Sequence, residues 1–168
     1  MNLLRPLCIL ALLASAATVQ AGGPATTGAL ATPANRIVGL WANVAQVGSC
    51  ETGILGPQQR QTLMFNAGGT FVDNARFPPQ GITTPGGVVQ RSFGIGVWSY
   101  DPAVGQHSLR QQFDFYLSNA YDGYQVIERT MQLSNDGNQI TGPVVATRYN
   151  ADGTERLRQC GAAVSTRL

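Results

Sequence analysis

The feature that most constrains this chain is its punctuation. From residue 37 onward, short runs rich in Val, Ile, Thr and aromatic residues are cut at near-regular intervals by tight-turn clusters. Asn135-Asp136-Gly137-Asn138 and Asn150-Ala151-Asp152-Gly153 are the strongest of these. Glycine takes the positive φ that hairpin turns need, and Asn and Asp tolerate it. Between two turns, residues 108–118 set Leu109, Phe113, Phe115 and Leu117 against Arg110, Gln112, Asp114 and Ser118. That is a period of two, with one dry face and one wet face. No stretch after residue 21 has the i, i+3, i+4, i+7 apolar spacing of an amphipathic helix.

Strands are therefore expected at 37–47, 61–66, 70–77, 88–100, 108–118, 124–133, 139–149 and 154–162. Residues 48–59 and 78–87 read as loops, the second because it holds Pro78, Pro79 and Pro85 among glycines. Pro143 inside a strand implies a bulge or an edge. Sequential antiparallel strands in such number leave two unpaired edges, and closing the sheet removes them. The expected fold is all-β: an eight-stranded up-and-down barrel over residues 36–163, with 164–168 as a C-terminal tail. A two-sheet sandwich is the alternative.

The start of the chain reads as an export signal. Arg5 is a short basic region, residues 7–19 are apolar or small, and Val19-Gln20-Ala21 has the form of a cleavage site, so residues 1–21 are expected to be removed. The other reading, a membrane anchor, needs a run of about 20 apolar residues, more than 7–19 supplies. Residues 22–35 are Gly, Pro, Ala and Thr with Leu30 and Asn35, carry no charge, and read as a disordered linker. The rest suits one domain, periplasmic or secreted. The chain carries 11 basic and 9 acidic residues, and every basic one is Arg. So even a balance gives no case for nucleic acid or an anionic membrane. No later segment is apolar enough to span a bilayer.

Cleavage leaves two cysteines, Cys50 and Cys160. In an exported chain they are most simply a disulfide, with free thiols in a metal or catalytic site as the alternative. A bridge would support closure. It would join the end of the first strand to the last, which are neighbours in a barrel and opposite edges in an open meander.

Gly39-Leu40-Trp41, at the head of the first strand, matches the Gly-x-Trp signature, and the chain here resembles the lipocalins and the wider calycin group, in particular small exported bacterial barrels. The pattern extends over residues 36–160. The resemblance implies that Trp41 packs across the closed end of the barrel, with Gly39 beside it and an Arg of the last strand over the indole. Arg156 and Arg158 are the candidates. Two features depart from the group: no C-terminal helix follows the last strand, and the nearest thing to a second motif is Trp98-Ser99-Tyr100-Asp101.

No catalytic constellation emerges. His107 is the single histidine and is expected to be solvated or capping. There are too few His and Cys for zinc. Gly94-Ile95-Gly96 lacks the helix a nucleotide loop opens, so it marks a strand kink. No cofactor is expected. Arg110, Asp114, Glu128, Arg129 and Arg148 are candidates for cross-strand pairs; a sharper reading points one Arg into the lumen with Glu128 or Asp114. Phe65, Phe71, Phe93, Phe113, Phe115, Tyr124 and Met131 are the candidate lumen residues, lining a ligand site or filling the barrel. The expected function is lumenal binding of a small apolar or amphipathic ligand. The alternative is a protein-interaction or inhibitor module of the cell envelope acting through loops 48–59 and 78–87, its partner open. A barrel cyclase or isomerase rests on fold analogy alone.

Overall fold

The computed structural model describes residues 32–168. The expected signal segment 1–21 and residues 22–31 of the linker lie outside the described residues. The strands are β1 (Gly39–Ser49), β2 (Gln59–Phe65), β3 (Thr70–Ala75), β4 (Ile82–Thr84), β5 (Gly87–Arg91), β6 (Gly94–Asp101), β7 (Gln106–Leu117), β8 (Ala120–Leu133), β9 (Gln139–Tyr149) and β10 (Glu155–Arg167).

Eight of them close a ring in the order β1-β2-β3-β6-β7-β8-β9-β10, and β10 returns to β1. Every pairing is antiparallel. This is the expected barrel, and not the sandwich. The seam runs from Trp41↔Arg167 to Ser49↔Gln159. Cys50 and Cys160 form a disulfide beside it, with Cα atoms 4.8 Å apart. Pro143 sits where the β8–β9 ladder lacks pairs, between Arg129↔Val144 and Gln132↔Thr141, as the missing N–H requires.

Four boundaries differ from expectation. The segment 88–100 is two strands, β5 and β6, lying in one lane against β7 with a break at Ser92 and Phe93. The break has a local cause. The Gly94 N–H donates to Asp73 Oδ1 at 2.8 Å, and a Cβ on Gly94 would collide with that carboxylate. Beyond the Asp73↔Gly94 pair the lane leaves β3 and pairs with β4 instead. The loop 78–87 thus carries β4 and becomes half of a hairpin. The supposed tail 164–168 is mostly β10, which runs to Arg167 because Val164 and Ser165 continue its alternation against β1. The end of the linker is ordered too: Pro33–Ile37 is a 3-10 helix, its proline preset for a first turn, and Ile37 is fully buried.

Register decides which side chains face in. Trp41, Leu63, Phe65, Phe71, Trp98, Leu109, Met131 and Ile140 pack with Ile37 into one dry cluster at the closed end. The Trp41 indole N–H donates to Ile37 O at 2.9 Å, which fastens the 3-10 helix under the barrel. The arginine over Trp41 is Arg167, at 4.2 Å from the ring centroid, and not Arg156 or Arg158. The correction follows from pairing: Arg167 is the residue opposite Trp41, while Arg156 and Arg158 lie at the far end of β10 and are exposed. The Arg167 guanidinium also donates to the carbonyls of Gly137, Val38 and Arg36. Gly39 has φ +132°, a conformation side chains rarely adopt, and its missing Cβ leaves room for Arg167 Nη1. His107 is a further correction. It is buried beneath Trp98 and Tyr100, and its Nε2–H donates to Ala34 O at 3.1 Å, so it holds the 3-10 helix in place.

Candidate functional site

Above the dry end the interior changes character. The inward positions of the next layer hold Asn43, Asp73, Gln111, Arg129 and Ser165, all buried. Polar groups in such a place need partners. Asp73 has them: its carboxylate accepts from Arg91 Nη2 at 2.6 Å, from the Gly94 N–H at 2.8 Å and from Gln111 Nε2 at 3.1 Å. Asn43 Oδ1 accepts from Ser165 Oγ at 2.7 Å, and Asn43 Nδ2 donates to Gln61 at 2.9 Å. Arg129 has much less. Its Nη1 reaches Asn43 Oδ1 at 3.3 Å, and its Nε and Nη2 have no partner. Gln111 Oε1 is open as well. Burial alone brings the Arg129 pKa down to about 10, so the guanidinium stays charged near neutrality.

The third layer faces the open end. Phe113 and Phe115 meet edge to face with centroids 5.4 Å apart. The Arg91 guanidinium lies 3.6 Å from the Phe113 centroid and that of Arg148 lies 3.9 Å from the Phe115 centroid. Each cation is held from behind, Arg91 by Asp73 and Arg148 by Asp122 at 2.7 Å. Burial lowers the pKa of both arginines, and the carboxylate partner of each opposes the shift. Above these rings is a cavity of about 530 Å³, opening where β3 and β5 diverge. Phe77, Ile82, Val89, Phe113 and Phe115 supply its apolar wall, and Arg60, Arg76 and Arg91 its polar one. No Asp or Glu lines it. The β4–β5 hairpin contributes Ile82 and Val89, so the segment 78–87 forms part of the cavity wall.

The structure separates the expected lumen residues into three groups. Phe65, Phe71 and Met131 face in but are sealed within the dry cluster, where they fill space. Phe113 and Phe115 line the cavity. Phe93 and Tyr124 do not face the lumen. Phe93 is 65% exposed, because it sits in the break between β5 and β6. Tyr124 pairs with Asp114 and Tyr149 on the outer face and stacks on Tyr149 at 4.8 Å. The charged pair Arg110–Glu128 is exposed at 3.8 Å on the outside, and Asp114 shares that outer register. Of the candidate arginines, Arg129 and Arg148 face in, and neither has Glu128 or Asp114 beside it.

Gln111 and Arg129 belong to the polar layer, and Arg91 joins it from above through Asp73. Two signals mark them in the sequence. Gln111 breaks the apolar odd-numbered row of the 108–118 strand, and Arg129 stands between Ile127 and Met131 in the same alternation. Arg91 has no such signal, since it faces in only after the lane breaks. Among the described residues no three His, Cys, Asp or Glu side chains gather as a metal site. No described helix is long and apolar enough to cross a membrane. No protein-family model, no curated protein and no solved structure matches the chain.

Proposed function

We propose that the protein is an exported, lipocalin-like carrier that binds a small apolar or amphipathic molecule in the open half of its barrel. The observation that carries this reading is the cavity of about 530 Å³ with Phe113, Phe115, Ile82 and Val89 on one side and three arginines on the other. Small-molecule sites commonly have volumes of about 300–1,000 Å³ and a mainly apolar lining with a few placed polar groups. An apolar wall with cationic groups and no lining carboxylate favours a ligand with an apolar body and an anionic end. Export is supported by the leader-like residues 1–21 and by the disulfide. Kinship with the lipocalins is supported by Gly39, Trp41 and the arginine over the indole.

The reading is tested with a neutral, polarity-sensitive dye such as Nile red. Saturable binding with a fluorescence rise is expected, and Val89→Trp, which fills the cavity, should weaken it about tenfold. A dye signal that never saturates, or that Val89→Trp leaves unchanged, sinks the proposal.

A second reading, an interaction module of the envelope, draws support from the outer surface. Ile54 and Leu55 are exposed in the 50–58 loop. Leu40, Met64, Val72 and Ile95 are successive register partners across four strands, and Leu40, Met64 and Ile95 are exposed. Loss of partner capture in a Met64→Glu, Ile95→Glu variant with unchanged dye binding would favour that module over the carrier.

A further inference from the structure

If the barrel is a carrier, Arg129 is the residue in it whose role the fold leaves unexplained. This side chain is 6% exposed and carries a charge, yet among the described residues it makes no ion pair. Its one hydrogen bond, to Asn43 Oδ1, is long and shared with Ser165. A buried cation in that state costs the fold the desolvation of every unmade bond. A leucine or methionine would fill the same space without that cost, so structure alone does not account for an arginine here.

The identity of the free atoms is informative. Nε and Nη2 form one edge of the guanidinium, with two parallel N–H bonds spaced to meet both oxygens of a carboxylate. The third group, Nη1, is the one already used. The protein thus keeps the bidentate edge open and anchors the side chain by the other end. Position agrees with this. Arg129 pairs with Leu109 on β7, and the next inward residues along β7 are Gln111 and then Phe113, which lines the cavity. By register Arg129 therefore lies below the cavity, two inward positions from Phe113 with Gln111 between them, and does not itself line the wall.

We propose that the Nε–Nη2 edge of Arg129 receives the carboxylate of an amphipathic acid whose apolar chain runs past Phe113 and Phe115 toward the mouth. Gln111 Oε1, the other open group of the layer, accepts from a water or a ligand hydroxyl beside the carboxylate. The rim arginines Arg60 and Arg76 then attract the acid electrostatically during entry, and Arg129 sets its final position.

The test compares decanoate with decanol on the disulfide-bonded protein, by displacement of Nile red and by calorimetry. The two probes differ only at the head. Decanoate should bind at least about tenfold more tightly than decanol, since one bidentate charged contact is worth that much. Arg129→Gln should abolish the preference and leave decanol binding in place. Arg129→Lys, which keeps the charge but lacks the edge, should lose most of it. Arg110→Gln, on the outer face, should change nothing. Because Arg129→Gln could fail to fold, the unsubstituted protein carries a second readout: the ¹⁵Nε–¹H resonance of Arg129 should move downfield in proton with decanoate and stay still with decanol. Equal binding of the two probes, with an unmoved resonance, overturns the role of Arg129 and leaves the carrier standing. Failure of both probes to bind removes the carrier and this inference together.

Discussion

At the scale of single residues, His107 shows how a buried group ties stability to pH. Burial holds its imidazole pKa below the ordinary 6.5, and the bond to Ala34 O only partly offsets that. The folded state thus prefers the neutral ring with the proton on Nε2. As pH falls through 6.5 the unfolded chain takes up a proton first, so stability present above that value is lost on acidification through the folded pKa. The urea midpoint should fall from about pH 7.5 to about pH 5, and His107→Gln should shrink that fall by more than about half. An equal fall in both proteins would place the titration elsewhere. Residue roles were partly legible beforehand. Gly39 and Trp41 carried a recognisable signature, and Phe113 and Phe115 followed from alternation. The partner of Trp41 was not legible, because choosing Arg167 over Arg156 or Arg158 requires the exact register of β10 on β1. Nor was the burial of His107, which depends on the 3-10 helix Pro33–Ile37 folding under the barrel.

At the scale of elements, the β4–β5 hairpin is the part most separable from the rest. It stands outside the closed ring, and the only ring strand that β5 pairs with is β7, along its last residues from Val89↔Leu117 to Arg91↔Phe115. Replacing residues 81–88 with a short Gly-Ser turn should keep the thermal midpoint within about 5 °C, a shift set by less than about 1 kcal/mol. The same replacement removes Ile82 from the cavity wall and should weaken dye binding about tenfold. Unfolding on replacement would mean that the hairpin supports the ring, and unchanged binding would mean that it has no part in the site. Strand content was readable from period and turns, and the strands at 108–118, 124–133 and 139–149 lie within observed elements or overlap them almost fully. The division of 88–100 was not readable. It arises from a contact between Gly94 and Asp73, 21 residues apart, which no local pattern contains.

At the scale of the whole molecule, closure was inferred from two sources: the number of strand-like runs and the placing of two cysteines. Both lead to the same ring, and the seam they imply is the one between β1 and β10. The interior was less accessible to inference. Whether a barrel is filled or hollow depends on how far each inward side chain reaches, and here both answers hold at once. The end with Trp41 is packed solid, and the end with Phe113 is open. The intervening polar layer is visible in sequence only as single exceptions to an apolar row. Its asymmetry gives the molecule a direction, with a rigid base and an entrance at the opposite end.

The disulfide has a mechanical consequence. Gly39 and Arg167 lie near one end of adjacent antiparallel strands, so tension on the two chain ends peels the β1–β10 seam one pair at a time instead of shearing it. Peeling proceeds toward Ser49↔Gln159 and stops at the Cys50–Cys160 bond. The stretch between the cysteines, with a sequence separation of 110, is then shielded from force. In optical tweezers, reduction of the bond should release about 37 nm of further extension, at about 3.4 Å for each residue. The same extension before and after reduction would show that the bond does not bear load. Under tension the bond works as a force limiter: pulling can fray the closed end, but it cannot unravel the walls of the cavity.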